Sequence, residues 1–436
     1  MPRLGRDVLA ASSRTMSRTR QQMRFPVCRS ISCCDGRGRM AAVLLVSLAT
    51  SSVLAFPARL HAQQLRADVI AAEQAQKASR LDVAPPTKAE QTVTRFRETF
   101  LQPRDGLYPY VDSVYGGGGL TLGAGFLRYY GDRSTFDVHG LYSVRNYKLF
   151  EATTLSPGHL HGRLQLGARV GWRDATQVGY YGLGIETDEA ERANYRFKET
   201  YFGASATLRP LRRVVLAGGI GYEGYDLERG QGPHPSIETR FTPATAPGLG
   251  TDPSFLHSEI TGGIDWRTSP GYTRTGGYYG LTLHRFSDPD DAFSFGRLDA
   301  NVVQHIPVLN ETWVLSLRGR MQTTLDDDDL VPYFMMPSLG GGSVLRGYAT
   351  ARFRDRHALI ATAEWRWFPN RTAFDVAFFF DAGTVAAHRG DLLSERMQTD
   401  WGIGGRFHGP SQTPLRADVA HGSEGWKLVV SGNSAF

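Results

Sequence analysis

One arginine has an unusual setting: Arg346 closely follows three consecutive glycines in residues 338–355, SLGGGSVLRGYATARFRD. Glycine lets a backbone bend sharply or approach other groups closely. A guanidinium is planar and donates several hydrogen bonds, so it binds carboxylates or phosphates at two points. The stretch therefore predicts a loop that folds against a surface with acidic partners for Arg346. A solvated arginine on a flexible loop tip is the alternative interpretation.

Other residue patterns offer little chemistry. No G-x-S-x-G, H-E-x-x-H or C-x-x-C motif occurs, and the glycine run lacks the lysine of a phosphate-binding loop. Four consecutive aspartates at 326–329 could hold a divalent cation, although acidic runs in outer loops are more often simply solvated. His139, His161 and His284 are scattered on polar strand faces, where we interpret them as lining residues. The sequence predicts no catalytic residue, no metal and no cofactor.

The composition is typical of many twisted strands. Glycine supplies 49 of 436 residues, about 11% against roughly 7% on average. Aromatic residues supply another 11%. The mean hydropathy is −0.30, and no apolar run reaches the roughly 20 residues of a spanning helix. A helical membrane protein is excluded, and a single large barrel is compatible with this length.

The basic balance of the chain lies in its first residues. The net charge is +6, but nine arginines and two aspartates give +7 in residues 1–39, and Arg59 adds one more. Subtracting these 8 from +6 leaves −2 for residues 63–436. A basic face for nucleic acid is therefore not expected in the folded part.

Residues 1–62 have the pattern of an overlong start followed by a secretory signal. Arginines precede the apolar residues 40–56, and cleavage after Ala62 would leave a small residue at the end of the leader. A buried core helix is the alternative. All three cysteines lie in this leader, so the mature chain would contain none, as suits an oxidising compartment.

Residues 63–104 are rich in alanine and charged residues, and they predict a short helical periplasmic arm.

From residue 105 onward, apolar and polar residues alternate with a period of two. In residues 374–381, FDVAFFFD, phenylalanines and valine at even positions alternate with Asp375, Ala377 and Asp381. About fourteen such segments are visible, and strands hidden in 227–255 would raise the number to sixteen. Because the polar faces carry charges that a dry core would not accept unpaired, we predict an all-β fold, a transmembrane antiparallel β-barrel of 14–16 strands. A water-soluble, lipocalin-like fold is the alternative.

Several motifs then occur in a fixed order: DWRTSPGYTRTGG at 265–277, SLGGGSVLRGY at 338–348, AEWR at 363–366, FFFDAG at 378–383 and the ending WKLVVSGNSAF. Together they resemble the bacterial surface antigen barrel of the BamA/TamA outer-membrane assembly superfamily. The resemblance implies sixteen strands and a sixth extracellular loop that folds into the lumen. It also implies that the tip residues Leu345, Arg346, Gly347 and Tyr348 bring the arginine to acids on the wall, by position Glu364 and Asp381.

The alternation supports this pairing independently, because Glu364 and Asp381 fall on the polar side of their strands. The resemblance further implies a hairpin motif at Asp265, Arg267 and Pro270. It also implies a C-terminal assembly signal at Trp426, Leu428, Val430 and Phe436, for which an ordinary aromatic edge strand is the alternative. Trp365, Trp367, Trp401 and Trp426 are candidates for an interfacial aromatic girdle.

The expected function follows from the resemblance and from one departure. Assembly factors of the superfamily carry periplasmic POTRA domains, whereas residues 63–104 are too short for one and resemble a helix. We expect an outer-membrane barrel of a Gram-negative-type bacterium that aids protein or lipid insertion or transport. Expected partners are outer-membrane lipids, the barrel-assembly machinery, client polypeptides and a separate periplasmic module. A passive or selective channel with a plugging loop is the alternative, and an outer-membrane lipid hydrolase is a distant third.

Overall fold

Sixteen strands form one antiparallel sheet, in which each strand pairs with the next along the chain. The computed structural model describes residues 105–131, 133–269, 272–309, 312–325, 330–369, 374–408 and 415–431. All of them belong to one unit of the chain, residues 86–436. The predicted leader at 1–62, the predicted arm at 63–104, the aspartates at 326–329, Pro270 and Phe436 lie outside the described residues.

The strands of the large sheet confirm the predicted number of sixteen. In chain order, all strands are β1 (Gly106–Tyr110), β2 (Thr121–Tyr130), β3 (Ser134–Ser143), β4 (Lys148–Gly158), β5 (Leu164–Tyr180), β6 (Ala193–Leu208), β7 (Val214–Arg229), β8 (Ser254–Asp265), β9 (Gly276–Ser287), β10 (Phe295–Val308), β11 (Trp313–Thr324), β12 (Ser338–Leu339), β13 (Phe353–Arg354), β14 (His357–Trp367), β15 (Phe374–Ala386), β16 (Gln398–Phe407), β17 (Leu415–Gly422) and β18 (Gly425–Ser431). The short strands β12 and β13 pair only with each other.

Among the residues that the structure describes, helical structure is limited to short turns. These are His159–Gly162, Glu189–Glu191, Ile237–Thr239 and Arg389–Leu393. In the part of the chain that the structure describes, no helix is long and apolar enough to span a bilayer.

The sheet has two chemically different faces, as the alternation predicts. On β15, Phe378 and Phe380 are half exposed on the outer face, while Phe379 and Asp381 are buried on the inner face. Leucine, isoleucine, valine and aromatic side chains cover the outer face of the other strands in the same way. An exposed apolar surface of this extent is incompatible with water and matches a hydrocarbon environment.

The two ends of the sheet differ in their connections. At one end, which we call the turn end, the connections between strands are short except for the one between β8 and β9. Longer segments leave the other end, the loop end, and their described residues are 181–192, 230–253, 325, 330–356 and 387–397. These segments fold over the inner face, where three clusters of buried apolar residues form. Tyr180, Tyr195 and Tyr333 pack edge to face in the largest cluster.

The structure adds β1, β4 and β8 to the strands that the alternation indicates, and it has no strand within residues 230–253, where hidden strands are expected. It also shortens the predicted strand around residues 160–172. Residues 159–162 form a tight turn in which Leu160 and His161 have φ of 49° and 59°, and β5 begins only at Leu164. Left-handed backbone conformations end a strand, whatever the alternation of its side chains.

Candidate functional site

The segment between β11 and β14 folds inward from the loop end, and β12 and β13 join its two halves as a small hairpin. Gly340, Gly341 and Gly342 adopt φ of 118°, 77° and 59°, a region that residues with a side chain rarely enter. A Cβ on Gly340 would collide with the carbonyl oxygen of Ala349. The glycine run therefore makes the tight bend that delivers Arg346 to the inner face.

Arg346 is completely buried and surrounded by carboxylates. Its Nε and Nη2 donate to the two oxygens of Asp381 at 2.8 and 3.0 Å. Its Nη1 donates to Glu364 Oε1 at 2.8 Å and to Asp418 Oδ2 at 3.1 Å. The guanidinium carbon lies 3.4 Å from the centre of the Phe379 ring, which adds a cation–π contact. The fork of the guanidinium thus makes four charged hydrogen bonds to three strands.

The acids that meet the loop lie on four consecutive strands. Glu364 is on β14, Asp381 on β15, Asp400 on β16 and Asp418 on β17. Asp381 and Asp400 are directly opposite in the ladder, and Asp400 Oδ2 accepts from the backbone N–H of Gly347 at 2.9 Å. The loop tip therefore holds together a band of four strands that is adjacent to β18.

The neighbours of Arg346 complete the tip. Leu345 is buried in an apolar cluster with Ile360 and Val385. The hydroxyl of Tyr348 lies 3.1 Å from Gln398 Oε1, from the carbonyl oxygen of Thr399 and from Ser423 Oγ. A Cβ on Gly347 would lie 2.7 Å from the backbone nitrogen of Gly422, so only glycine fits there without a shift. The structure thus brings Leu345, Arg346, Gly347 and Tyr348 into contact with the wall.

Three further arginines compensate the acids of the wall. Arg406 binds both Glu364 and Asp375, and Arg366 Nη2 donates to Asp375 Oδ2 at 2.8 Å. Arg416 Nη2 donates to the carbonyl oxygen of Gly342 at 2.7 Å, so it holds the glycine run as well. Buried charges are tolerated when they are paired and hydrogen-bonded in this way.

The predicted hairpin motif lies at the turn end, between β8 and β9. Arg267 makes a two-point pair with Asp265, with Nε 3.0 Å from Oδ1 and Nη2 3.1 Å from Oδ2. The hairpin folds toward the inner face, because the carbonyl oxygen of Thr273 accepts from Arg366 Nη1 at 3.2 Å. Tyr272 also packs on His408, with ring centres 4.1 Å apart.

Polar contacts therefore connect the hairpin to the loop without interruption. The path runs from Thr273 through Arg366, Asp375, Arg406 and Glu364 to Arg346. The motifs of residues 265–277 and 338–348 approach from opposite ends of the sheet, and this path of buried ion pairs joins them.

The predicted C-terminal signal lies on the last strand. Trp426, Leu428 and Val430 all project from the outer face of β18, where they are largely exposed. Trp426 also contacts Trp401 on the outer face, with ring centres 5.6 Å apart. Trp365 and Trp367 are half exposed on β14 and stack against Trp313, which forms a second aromatic patch.

Sequence reasoning missed half of the acids around the loop tip. The predicted partners do not include Asp400 and Asp418, nor Arg406 and Arg416. A signal for them exists, because the alternation in β16 and β17 places all four on the inner face. The alternation of side chains gives no information about how far the loop tip reaches along the inner face of the sheet.

The charges of this site hold the loop in a fixed position and do not take part in proton transfer. Burial acts to lower the pKa of Arg346, but Glu364, Asp381 and Asp418 raise that pKa above its ordinary value. The guanidinium is therefore a permanent cation that neither gives up nor accepts a proton. Such a group fixes the position of a loop and offers no general acid, base or nucleophile.

In a comparison with family models, the Omp85 superfamily domain matches residues 128–424. The matched range includes the loop, the hairpin and all four acids of the wall. No curated protein sequence matches the chain significantly.

Solved structures show a likeness of fold. The chain resembles BamA from Haemophilus ducreyi lacking POTRA domains 1–3, at 15% identity and a TM-score of 0.55, over 75% of this chain and 70% of that chain. It resembles CdiB from Acinetobacter baumannii at 13% identity and a TM-score of 0.50, over 76% of this chain and 60% of that one. For CdiB from Escherichia coli the values are 14%, 0.50, 75% and 62%. The chain thus spans less than two thirds of the CdiB chains, and the predicted barrel fold is confirmed.

Proposed function

Because the chain belongs to the Omp85 superfamily, we propose that this outer-membrane β-barrel helps polypeptide to insert into, or to pass through, the outer membrane of a Gram-negative bacterium. The observation that carries the proposal is the buried brace of Arg346 and Gly347, which together join the folded loop to four consecutive strands. The chain acts without catalysis of its own. Outer-membrane lipids, client polypeptides and a separate periplasmic module are its proposed partners.

The proposed mechanism uses the two end strands of the sheet. The pairing order begins at β1, which has only five residues, and it ends at β18. A short ladder is easier to open than a long one, because fewer hydrogen bonds are lost. An incoming strand would then pair with an end strand by β-augmentation. Outward-facing Trp426, Leu428 and Val430 would meet lipid beside that opening.

The brace gives this mechanism a fixed and a movable part. The loop tip binds β14, β15, β16 and β17, and it reaches the β17–β18 turn through Tyr348 and Ser423. Strands held by buried ion pairs resist separation, whereas the β1 side has no share in these contacts of the loop tip with the wall. We therefore propose that β1 moves while the braced strands stay in place.

Reconstitution tests the proposal. The full chain is placed in lipid vesicles, and an unrelated, urea-unfolded outer-membrane barrel is diluted into them. Heat-dependent electrophoretic mobility reports how fast this client folds. We expect at least fivefold faster folding than in empty vesicles, and loss of most of that gain in Arg346→Ala. Lys198→Ala serves as the control, because Lys198 pairs with Asp226 across β6 and β7, away from both the brace and β1.

Two other outcomes would replace the proposal. Steady ion conductance of the vesicles without faster client folding would indicate the channel alternative, with the loop as its plug. Release of fatty acid from labelled phospholipid would indicate a hydrolase. If the client folds at the same rate with the folded chain as with empty vesicles, the proposed insertion function is wrong.

A further inference from the structure

A cluster of histidine and acidic side chains lies on the inner face away from the brace. His257 and Glu259 are on β8, and His284 lies on β9 directly opposite Glu259. One ligand atom from each of the three lies within 4.8 Å of the others. His257 Nε2 is 3.0 Å from His284 Nδ1, and His284 Nδ1 is 3.5 Å from Glu259 Oε2.

These distances suit a shared cation. Two ligand atoms, each about 2.1 Å from one metal ion, lie roughly 3.0–3.4 Å apart for angles between 90° and the tetrahedral value. The spacing of 3.0 Å between the two nitrogens falls in this range, the spacing of 3.5 Å between His284 Nδ1 and Glu259 Oε2 lies just outside it, and all three ligand atoms lie within 4.8 Å of one another. Only a small movement of Glu259, whose side chain is partly exposed, is required.

The other ring nitrogens have carboxylates behind them. His257 Nδ1 lies 2.9 Å from Glu223 Oε1, a contact that favours the tautomer with its N–H on Nδ1 and a lone pair on Nε2. His284 Nε2 faces Asp299 Oδ2 at 4.0 Å, so Asp299 lies behind the ring when Nδ1 offers its lone pair to a metal ion. In the tautomers that bind a metal ion, the two lone pairs face each other across 3.0 Å. A cation between them resolves that repulsion, and carboxylate–histidine–metal chains are the usual second shell of such sites.

The surroundings hold the imidazoles in place. The ring of His257 stacks on Phe286, with centres 4.1 Å apart and planes 12° from parallel. Phe286 itself is buried against Phe255 and Phe295. On the other side Gly219 leaves room for Glu259, since a Cβ there would lie 3.0 Å from Glu259 Oε1. Rigid imidazoles beside an adjustable carboxylate are a workable ligand set.

We propose that His257, Glu259 and His284 bind one divalent transition-metal ion on the inner face of β8 and β9. Two imidazoles with one carboxylate select zinc, cobalt or nickel over calcium and magnesium, which prefer oxygen ligands. Water completes the coordination sphere on the side of the interior. The site is independent of the proposed role in polypeptide insertion. It differs from the sequence-based expectation that His284 merely lines the interior.

Binding of Zn²⁺ to the full chain in detergent tests the proposal, with Cys28, Cys33 and Cys34 replaced by serine so that thiolates do not compete. Isothermal titration calorimetry should show one saturable Zn²⁺ per chain. We expect His257→Ala and His284→Ala each to raise Kd at least tenfold, and Glu259→Gln about fivefold. Co²⁺ absorption in the visible range, lost in the same variants, provides a second readout.

His139→Ala is the matched control. His139 is also buried and also bonds a carboxylate, Asp137, at 2.7 Å, but it has no second imidazole beside it among the described residues. Its Kd should stay within twofold of the parent chain. His284→Asn replaces His284→Ala if the latter does not show the heat-dependent mobility of a folded barrel. Absence of saturable binding in the parent, or equal weakening by His139→Ala and His284→Ala, overturns the site.

Discussion

Arg346 and Arg406 bind the same oxygen atom, Oε1 of Glu364. One arginine comes from the inward-folded loop and the other from β16, so a single carboxylate joins the loop to the wall. Each guanidinium has a second acidic partner, Asp381 for Arg346 and Asp375 for Arg406. A shared network of buried charges therefore holds the loop in its docked position. Single substitutions in this network should change the docking of the loop in defined ways.

Arg346→Ala should release the loop and leave the barrel folded. Removing one partner of a buried ion network costs about 3–5 kcal/mol, because the remaining charges lose their compensation. The loss falls on the docked loop, since the strands keep their ladders. Limited proteolysis should therefore cut within residues 325–356 at least tenfold faster, while the temperature of barrel unfolding changes little. Lys198→Ala should leave both unchanged, and equal sensitivity of loop and barrel in Arg346→Ala would contradict the brace.

Glu364→Gln and Arg346→Met should be strongly non-additive. Residues in one network of ion pairs show interaction energies of about 0.5–3 kcal/mol in double-mutant cycles. We expect the double variant to be at least about 1 kcal/mol more stable than the sum of the single changes predicts. The reason is that a neutral amide at position 364 removes one of the three carboxylates that lose their compensation when the guanidinium at position 346 is absent. Urea unfolding from vesicles measures the four free energies, and simple additivity would show that the two side chains do not interact.

Gly347→Ala should displace the loop tip for a steric reason alone. The new methyl group would lie 2.7 Å from the backbone of Gly422 and from Asp400 Cβ. Overpacking of this kind costs about 1–3 kcal/mol. Proteolysis of the loop should accelerate, as in Arg346→Ala, although no charge has changed. Gly390→Ala is the control, because a Cβ at Gly390 meets nothing within 4 Å; if both variants resist protease like the parent chain, the close approach is not needed.

Asp375→Asn should loosen both motifs at once. Asp375 accepts from Arg366 and Arg406, which lead to the hairpin and to the loop respectively. Loss of its charge leaves two buried arginines undercompensated. Mass spectrometry of proteolytic fragments should show new cleavage in residues 266–275 and in residues 325–356. Asp226→Asn, which alters an exposed pair with Lys198, should show neither, and cleavage at only one of the two segments would mean that the path is not continuous.

Val170→Arg should destabilise the fold much more than Leu393→Arg. Both side chains are exposed, but Val170 lies on the outer face of β5 and Leu393 lies in a loop-end segment. Arginine on the lipid face near the middle of a bilayer costs about 2–4 kcal/mol, and near the surface almost nothing. Urea unfolding from vesicles should show this difference. Equal free energies of unfolding would argue against hydrocarbon around β5.

The alternation of side chains is sufficient to predict most of the sheet, because contrast between the two faces is strong where aromatic residues oppose charges. β14 and β15 are examples, with Trp365 and Phe380 outside and Glu364 and Asp381 inside. β1 has five residues and includes Pro109, and β4 carries threonine, serine and proline. Strands whose two faces differ so little in polarity cannot be recognised from the alternation of side chains alone.

The sequence is sufficient to predict what kind of site this is, but it does not give all the residues that contact the loop tip. Loop glycines beside one arginine indicate a folded-in tip, and parity places Glu364 and Asp381 inside. Asp400 and Asp418 share that parity, but their contact with the tip depends on how far the loop descends. The paired histidines on β8 and β9 escape prediction for a related reason, since 27 residues separate His257 from His284 and only strand register brings them together.

The sequence separation of the brace has a consequence for the order of folding. Arg346 and its partner Asp418 are 72 positions apart in the sequence, and Tyr348 and its partner Ser423 are 75 positions apart. These partners belong to the last strands of the chain, so the tip has nothing complete to bind until those strands have paired. Docking of the loop is therefore a late event, and a protease-resistant tip shows that the C-terminal end of the sheet has been finished.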